Sequence, residues 1–152
     1  MYSATASSPT LKGNFVVLRA GNLQLVLPQA DVGAAQYLAD RPRGSAAAGM
    51  FELPGDAESA PRRVVALSAQ MTPLPQLPDD RFLMTSFEAQ AGVALCWDEV
   101  KVLIDVELQP QPLPAVMLPP NAPLTEFVEI DGEMVFCCTG ARLLAHAFAA
   151  RS

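Results

Sequence analysis

The stretch Arg81 to Leu108, RFLMTSFEAQAGVALCWDEVKVLIDVEL, decides the fold. Arg81 to Phe87 and Ala91 to Trp97 are apolar runs on either side of Glu88-Ala89-Gln90, which is the pattern of a hairpin. Val100, Val102, Ile104, Val106 and Leu108 then alternate with Lys101, Leu103, Asp105, Glu107 and Gln109. That period of two predicts a long strand with one dry face and one largely wet face. Strands follow one another here without a long helix between them, so small closed or nearly closed β-barrels are expected rather than a parallel sheet.

The same reading extends in both directions. Downstream, the Pro-rich stretch Pro110 to Pro123 cannot be a central strand, because each proline removes a ladder donor. Phe127 to Ile130 and Glu133 to Cys138 flank Asp131-Gly132, a strong signal for a two-residue hairpin turn. Such a turn pairs Val128 with Val135 and Phe127 with Phe136. Thr139 is a suitable N-cap for a last helix, with Ala141, Leu144, Ala145 and Phe148 as its apolar stripe. Upstream, Phe15 to Leu18, the turn Gly21-Asn22 and the alternating Leu23, Leu25 and Leu27 predict a first hairpin. Ala39 to Pro61, rich in Arg, Gly, Ala, Ser and Pro, reads as a long surface segment. Val64 to Leu67 is a short apolar run, and Thr72 to Pro78 a connector.

The totals narrow the function classes. The chain has 152 residues, about the size of one domain. Residues 1–13 are expected as a tail and 14–152 as a single domain. The formal net charge is -6, and the only lysines are Lys12 and Lys101. Between Phe82 and Ala141 the only base is Lys101, against acids that include Asp98, Glu99, Asp105, Glu107, Glu126, Glu129, Asp131 and Glu133. Nucleic acid and anionic membranes are poor partners for that surface, and a basic protein surface is a good one. The N-terminus lacks the basic start and apolar run of a signal peptide, and no stretch reaches the roughly 18 apolar residues of a membrane span. Cys96, Cys137 and Cys138 are an odd number, and the adjacent pair points to opposite faces of a strand, so free thiols in a reducing, cytoplasmic setting are expected.

No catalytic constellation emerges. His146 is the only histidine, has no patterned nucleophile beside it, and reads as a helix-flank residue. There is no C-x-x-C pair for zinc, no phosphate-cradling glycine loop and no nucleophile elbow. Glu129, Asp131 and Glu133 straddle a tight turn, where solvation accounts for them better than a cation site. Pro75 to Pro78 matches P-x-x-P and reads as a connector. No metal or cofactor is expected.

Arg81 to Leu103 resembles the central hairpin of CheW-like domains, the adaptors of bacterial chemosensory arrays. In that family an Arg opens a strand, and a Gly-led apolar strand ends in a D-E-V or D-x-V step, as Gly92, Leu95, Asp98, Glu99 and Val100 do here. Phe15 to Leu27, Pro28 and Val32 resemble its opening hairpin and P-x-x-x-V step. Ile130-Asp131-Gly132 and Leu143-Leu144 resemble its closing hairpin and terminal helix, with Thr139 where the family usually has an Asp. The resemblance implies a mostly β, CheW-like fold: two small five-stranded β-barrels packed side by side, with a C-terminal α-helix.

Two departures stand out. Gly49 to Gly55 keeps the Gly, Leu and Gly frame of the family's G-x-x-N-L-R-G loop, with Glu52 for its Asn and Pro54 for its Arg. Gly33, Ala34 and Ala35 lie where the family places an acid. Either the charged pair across the inter-barrel groove is lost, or Glu52 and Pro54 belong to a misaligned loop.

The resemblance implies a non-catalytic adaptor that binds the CheW-like domain of a histidine kinase, or a chemoreceptor tip, in chemotaxis or pilus motility. Asp31, Val32, Glu52, Leu53 and Pro54, around the inter-barrel groove, are its expected partner-binding residues. A small-ligand-binding regulatory domain with an apolar molecule in that groove is the alternative. A thiol enzyme using Cys137 or Cys138 is a third reading.

Overall fold

Strand β1 (Leu11–Ala20) is buried on both faces along its second half, which places it between two cores. Phe15 and Val17 point into the core of one sheet, while Val16, Leu18 and Ala20 point into a central core shared with a second sheet. The computed structural model describes residues 10–38, 43–44, 49–53, 61–79, 81, 83–114 and 124–148. Within them lie β2 (Leu23–Pro28), β3 (Val32–Tyr37), β4 (Arg43–Gly44), β5 (Phe51–Leu53), β6 (Arg62–Ala66), β7 (Leu83–Phe87) and β8 (Gln90–Trp97). After these come β9 (Glu99–Leu108), β10 (Gln111–Pro112), β11 (Glu126–Ile130), β12 (Glu133–Cys137) and α1 (Gly140–Ala147).

The strands form two six-stranded sheets, in the orders β10-β11-β12-β2-β1-β9 and β3-β7-β8-β6-β5-β4. Each exceeds the expected five because a two-residue strand, β10 or β4, is added at an edge. Among the described residues the backbone pairing does not close either sheet into a barrel. Side chains bridge toward closure instead: Lys101 of β9 reaches Asp131 in the β11–β12 turn at 3.4 Å, and Arg62 of β6 donates to Gln36 of β3 at 3.1 Å. The protein is mostly β, with two β subdomains and one terminal helix.

The Asp131-Gly132 turn sets the register that its chemistry requires. Asp131 and Gly132 have φ of 53° and 80°, the left-handed pair of a type I′ turn. Phe127 consequently faces Phe136, and Val128 faces Val135. The central core gathers Leu23, Leu25 and Leu27 from β2, Val93, Leu95 and Trp97 from β8, and Leu143 and Leu144 from α1. The Trp97 indole donates to Thr85 Oγ1 at 2.9 Å, so the largest buried ring leaves no orphan N–H.

Four expectations change. The single dry face over Val100 to Leu108 is broken by a bulge. Gly13 pairs with Val106 and Phe15 with Leu103, so β9 carries one extra residue opposite Asn14. Asp105 takes φ 53° there, and its N–H donates to Asn14 Oδ1 at 2.7 Å. Leu103, Val106 and Leu108 therefore face the first sheet's core, while Val102 and Ile104 are exposed. Second, the helix buries Gly140, Leu143, Leu144 and Ala147, not Ala141 and Ala145, which are exposed; Thr139 does cap it, accepting from the Arg142 N–H at 3.2 Å. Third, the segment Ala39 to Pro61 contains β4 and β5, with Phe51 buried in the second sheet. Fourth, β1 begins at Leu11, inside the stretch expected as a tail.

Candidate interaction surfaces

Asp31 sits in the single 3₁₀ turn that links β2 to β3. Its carboxylate accepts from the Gly140 N–H at 2.9 Å, at the first residue of α1, and its carbonyl accepts from the Glu88 N–H at 3.0 Å. One residue thus ties the terminal helix to the β7–β8 turn. A side chain at Gly140 would be tight, since a Cβ would lie 3.1 Å from the Asp31 Cβ, which would have to give way. The half-buried Val32 packs against the central core.

The other expected residues lie elsewhere. Leu53 packs into the second sheet's own core, and Glu52 is exposed in β5, in register with Arg63 of β6. In the strand order β3 is one edge and β5 is next to the opposite edge, so strand pairing does not bring Asp31 and Val32 beside Glu52 and Leu53. Pro54 lies outside the described residues. The Gly33 to Ala35 segment belongs to edge strand β3, where Ala34, Ala35, Gln36 and Tyr37 are exposed and none carries a charge.

A second link joins the two sheets. The Arg81 side chain is 5 % exposed; its guanidinium donates to the Leu67 carbonyl at 2.8 Å and pairs with Asp98 at 3.2 Å. Asp98 also accepts from the Gly21 N–H at 2.6 Å, in the β1–β2 turn, and its own N–H donates to the Arg19 carbonyl at 2.8 Å. Burial alone raises the Asp98 carboxyl, but the Gly21 N–H and the Arg81 and Arg19 charges outweigh it and hold the group below its ordinary value. Sequence reasoning noted Arg81 and Asp98 only as motif positions. A lone Arg before an apolar run, followed by an acid just after the partner run, was the signal for a buried pair.

The thiols fit a packing role. Cys96, Cys137 and Cys138 are free, with Cys137 packed on the first sheet's core and Cys138 in the central core, on opposite faces as expected. Burial pushes both Cys137 and Cys138 up to about 11, so at neutral pH they are protonated and poor nucleophiles. His146 Nε2 meets the Met71 carbonyl at 2.6 Å, tying α1 to the connector after β6. The most exposed apolar side chains in the described strands are Tyr37 at 79 % on β3, and Ile104 at 62 % and Val102 at 49 % on β9, both edge strands. No described helix is long and apolar enough to cross a membrane.

Neither a family model nor a curated protein matches the sequence. Among solved structures, the chain is similar to the crystal structure of the scaffolding protein TtCheW from Thermoanaerobacter tengcongensis. The two are 17 % identical, with a TM-score of 0.54 over 84 % of this chain and 88 % of that one. The likeness establishes a CheW-like fold.

Proposed function

We propose that this protein is a non-catalytic adaptor of a bacterial chemosensory pathway, which docks on the CheW-like domain of a histidine kinase or on a chemoreceptor tip. The observation that carries the reading is the fold: two β subdomains and a terminal helix in the arrangement of a scaffolding protein, along nearly the whole chain. The surface supports it. Val102 and Ile104 form an exposed apolar pair on an edge strand, just ahead of the bulge at Asp105. An edge strand with exposed apolar side chains is a template for strand addition or for packing a second protein.

Asp31 and Val32 serve such docking indirectly on this reading, by fixing the helix and β3 relative to the second sheet, while Glu52 and Leu53 lie in β5, next to its far edge. Docking is driven by apolar burial and depends weakly on salt. The test is the double variant Val102→Asp/Ile104→Asp. Exposed substitutions of this kind change stability by about 0.5 kcal/mol or less, so Tm is expected to hold. Affinity for the kinase domain is expected to fall by about tenfold or more, since two desolvated charges at an interface centre are costly. Unchanged affinity removes β9 from the interface.

A further inference from the structure

The first sheet does not fill its own core. Where β1, β2 and β9 meet the end of β12 and the start of α1, the side chains leave a cavity of about 240 Å³. Phe15, Val26 and Leu108 line it and are buried, so its interior is apolar. The chain leaves the sheet here. Cys138 packs into the central core while Cys137 packs on the first sheet's core, and both line the cavity. The cavity also reaches exposed residues, Thr139 and Arg142, and so opens to solvent beside the helix. It lies beside the Asp31 link, since Pro28 and Thr139 line it and Asp31 acts on Cys138.

An apolar cavity of about 150 Å³ already accommodates benzene, so this one has room for an apolar chain of about eight carbons. Two charged residues line it. Arg142 projects from α1, and its guanidinium makes no hydrogen bond or ion pair among the described residues. Glu126 begins β11 and acts on Cys137, whose thiol it helps to raise. Arg142 acts in the opposite sense on Cys138. Arg142 thus places a positive charge on the helix side and Glu126 a negative one on the β11 side, while Asp31 adds a second acid that raises Cys138. A guanidinium fork at the mouth of an apolar cavity suits a carboxylate, which it holds with two parallel bonds.

We propose that this cavity binds a small amphiphile with a medium-length apolar tail and one carboxylate. The tail lies among Phe15, Val26 and Leu108, and the carboxylate meets Arg142. Such a site makes the fold responsive to a metabolite-sized acid independently of any protein partner.

The experiment uses the full chain and three probes of equal tail length, octanoate, 1-octanol and octyltrimethylammonium, each below its micelle-forming concentration. Binding is read by the rise in Tm and by the rate of iodoacetamide alkylation at Cys137, with the fully buried Cys96 as internal reference. Octanoate is expected to raise Tm and to slow Cys137 alkylation about tenfold at saturation. Octanol binds more weakly, and the cation weakest. Arg142→Gln, at an exposed position, is expected to reduce octanoate affinity to that of octanol, while Glu126→Gln tightens it. Absence of both stabilisation and protection by octanoate overturns the proposal. So does equal binding of the three probes, or an Arg142→Gln variant that binds octanoate unchanged.

Discussion

Arg81→Met is expected to unfold at a lower urea concentration than the natural protein, with a loss of about 3 kcal/mol. Removing one member of a buried ion pair costs about 3–5 kcal/mol, because the other charge stays behind without its partner. Here Asp98 is the one left, and its side chain is 19 % exposed, so water relieves part of the penalty. The Leu67 carbonyl also loses its 2.8 Å donor. By contrast, Arg19 pairs with Glu99 at 3.4 Å in the open, and Glu99→Gln is expected to cost less than about 1 kcal/mol. The buried pair has a pH signature as well. The Asp98 carboxyl is lowered in the folded protein, so its contribution is complete above the unfolded value of about 3.9 and is lost as pH falls through the folded value. Asp98→Asn is expected to be less stable at neutral pH and to lose less of its remaining stability in acid. Equal acid sensitivity in both proteins contradicts the assigned role.

The second large effect is functional. In reconstitution with a standard receptor and kinase, this protein in place of an ordinary CheW is expected to give less than about a tenth of the kinase activation. Gly33, Ala34 and Ala35 lie where the resemblance places an acid, and Pro54 stands where it places an arginine. A partner that relied on such a charged pair forfeits about 2 kcal/mol or more, which is over tenfold in affinity. Loss of both charges together leaves no stranded ion, so the fold tolerates what the complex does not. Full activation shows that the charges are dispensable and removes the meaning given to the Glu52–Pro54 departure.

Sequence reading succeeded where local chemistry dictates geometry. Asp131-Gly132 admits few turn types, and the pairing of Phe127 with Phe136 followed from counting outward. Thr139 capped the helix for the same reason. Reading failed where a distant strand decides. The alternation through Val100 to Leu108 is broken only by Leu103, but Asn14, ninety-one positions from Asp105, accepts its N–H at a bulge, and beyond it Val106 and Leu108 face the first sheet's core. β5 was hidden because three residues, Phe51–Leu53, are too short to show a period. The bond from the Gly140 N–H to the Asp31 carboxylate spans 109 positions, and no local pattern announces it. The small stripe on α1 was misplaced because alanines at positions 141, 145 and 147 look alike to a helical period, and only packing against the central core selects among them.

Direct binding tests the central claim most simply. Titration of this protein against the isolated CheW-like domain of a chemosensory kinase, and separately against a receptor-tip coiled coil, is read by calorimetry across a range of salt. The account predicts a saturable complex with at least one of the two, at about micromolar affinity or tighter, that changes little with salt. No association with either at about millimolar concentration contradicts it.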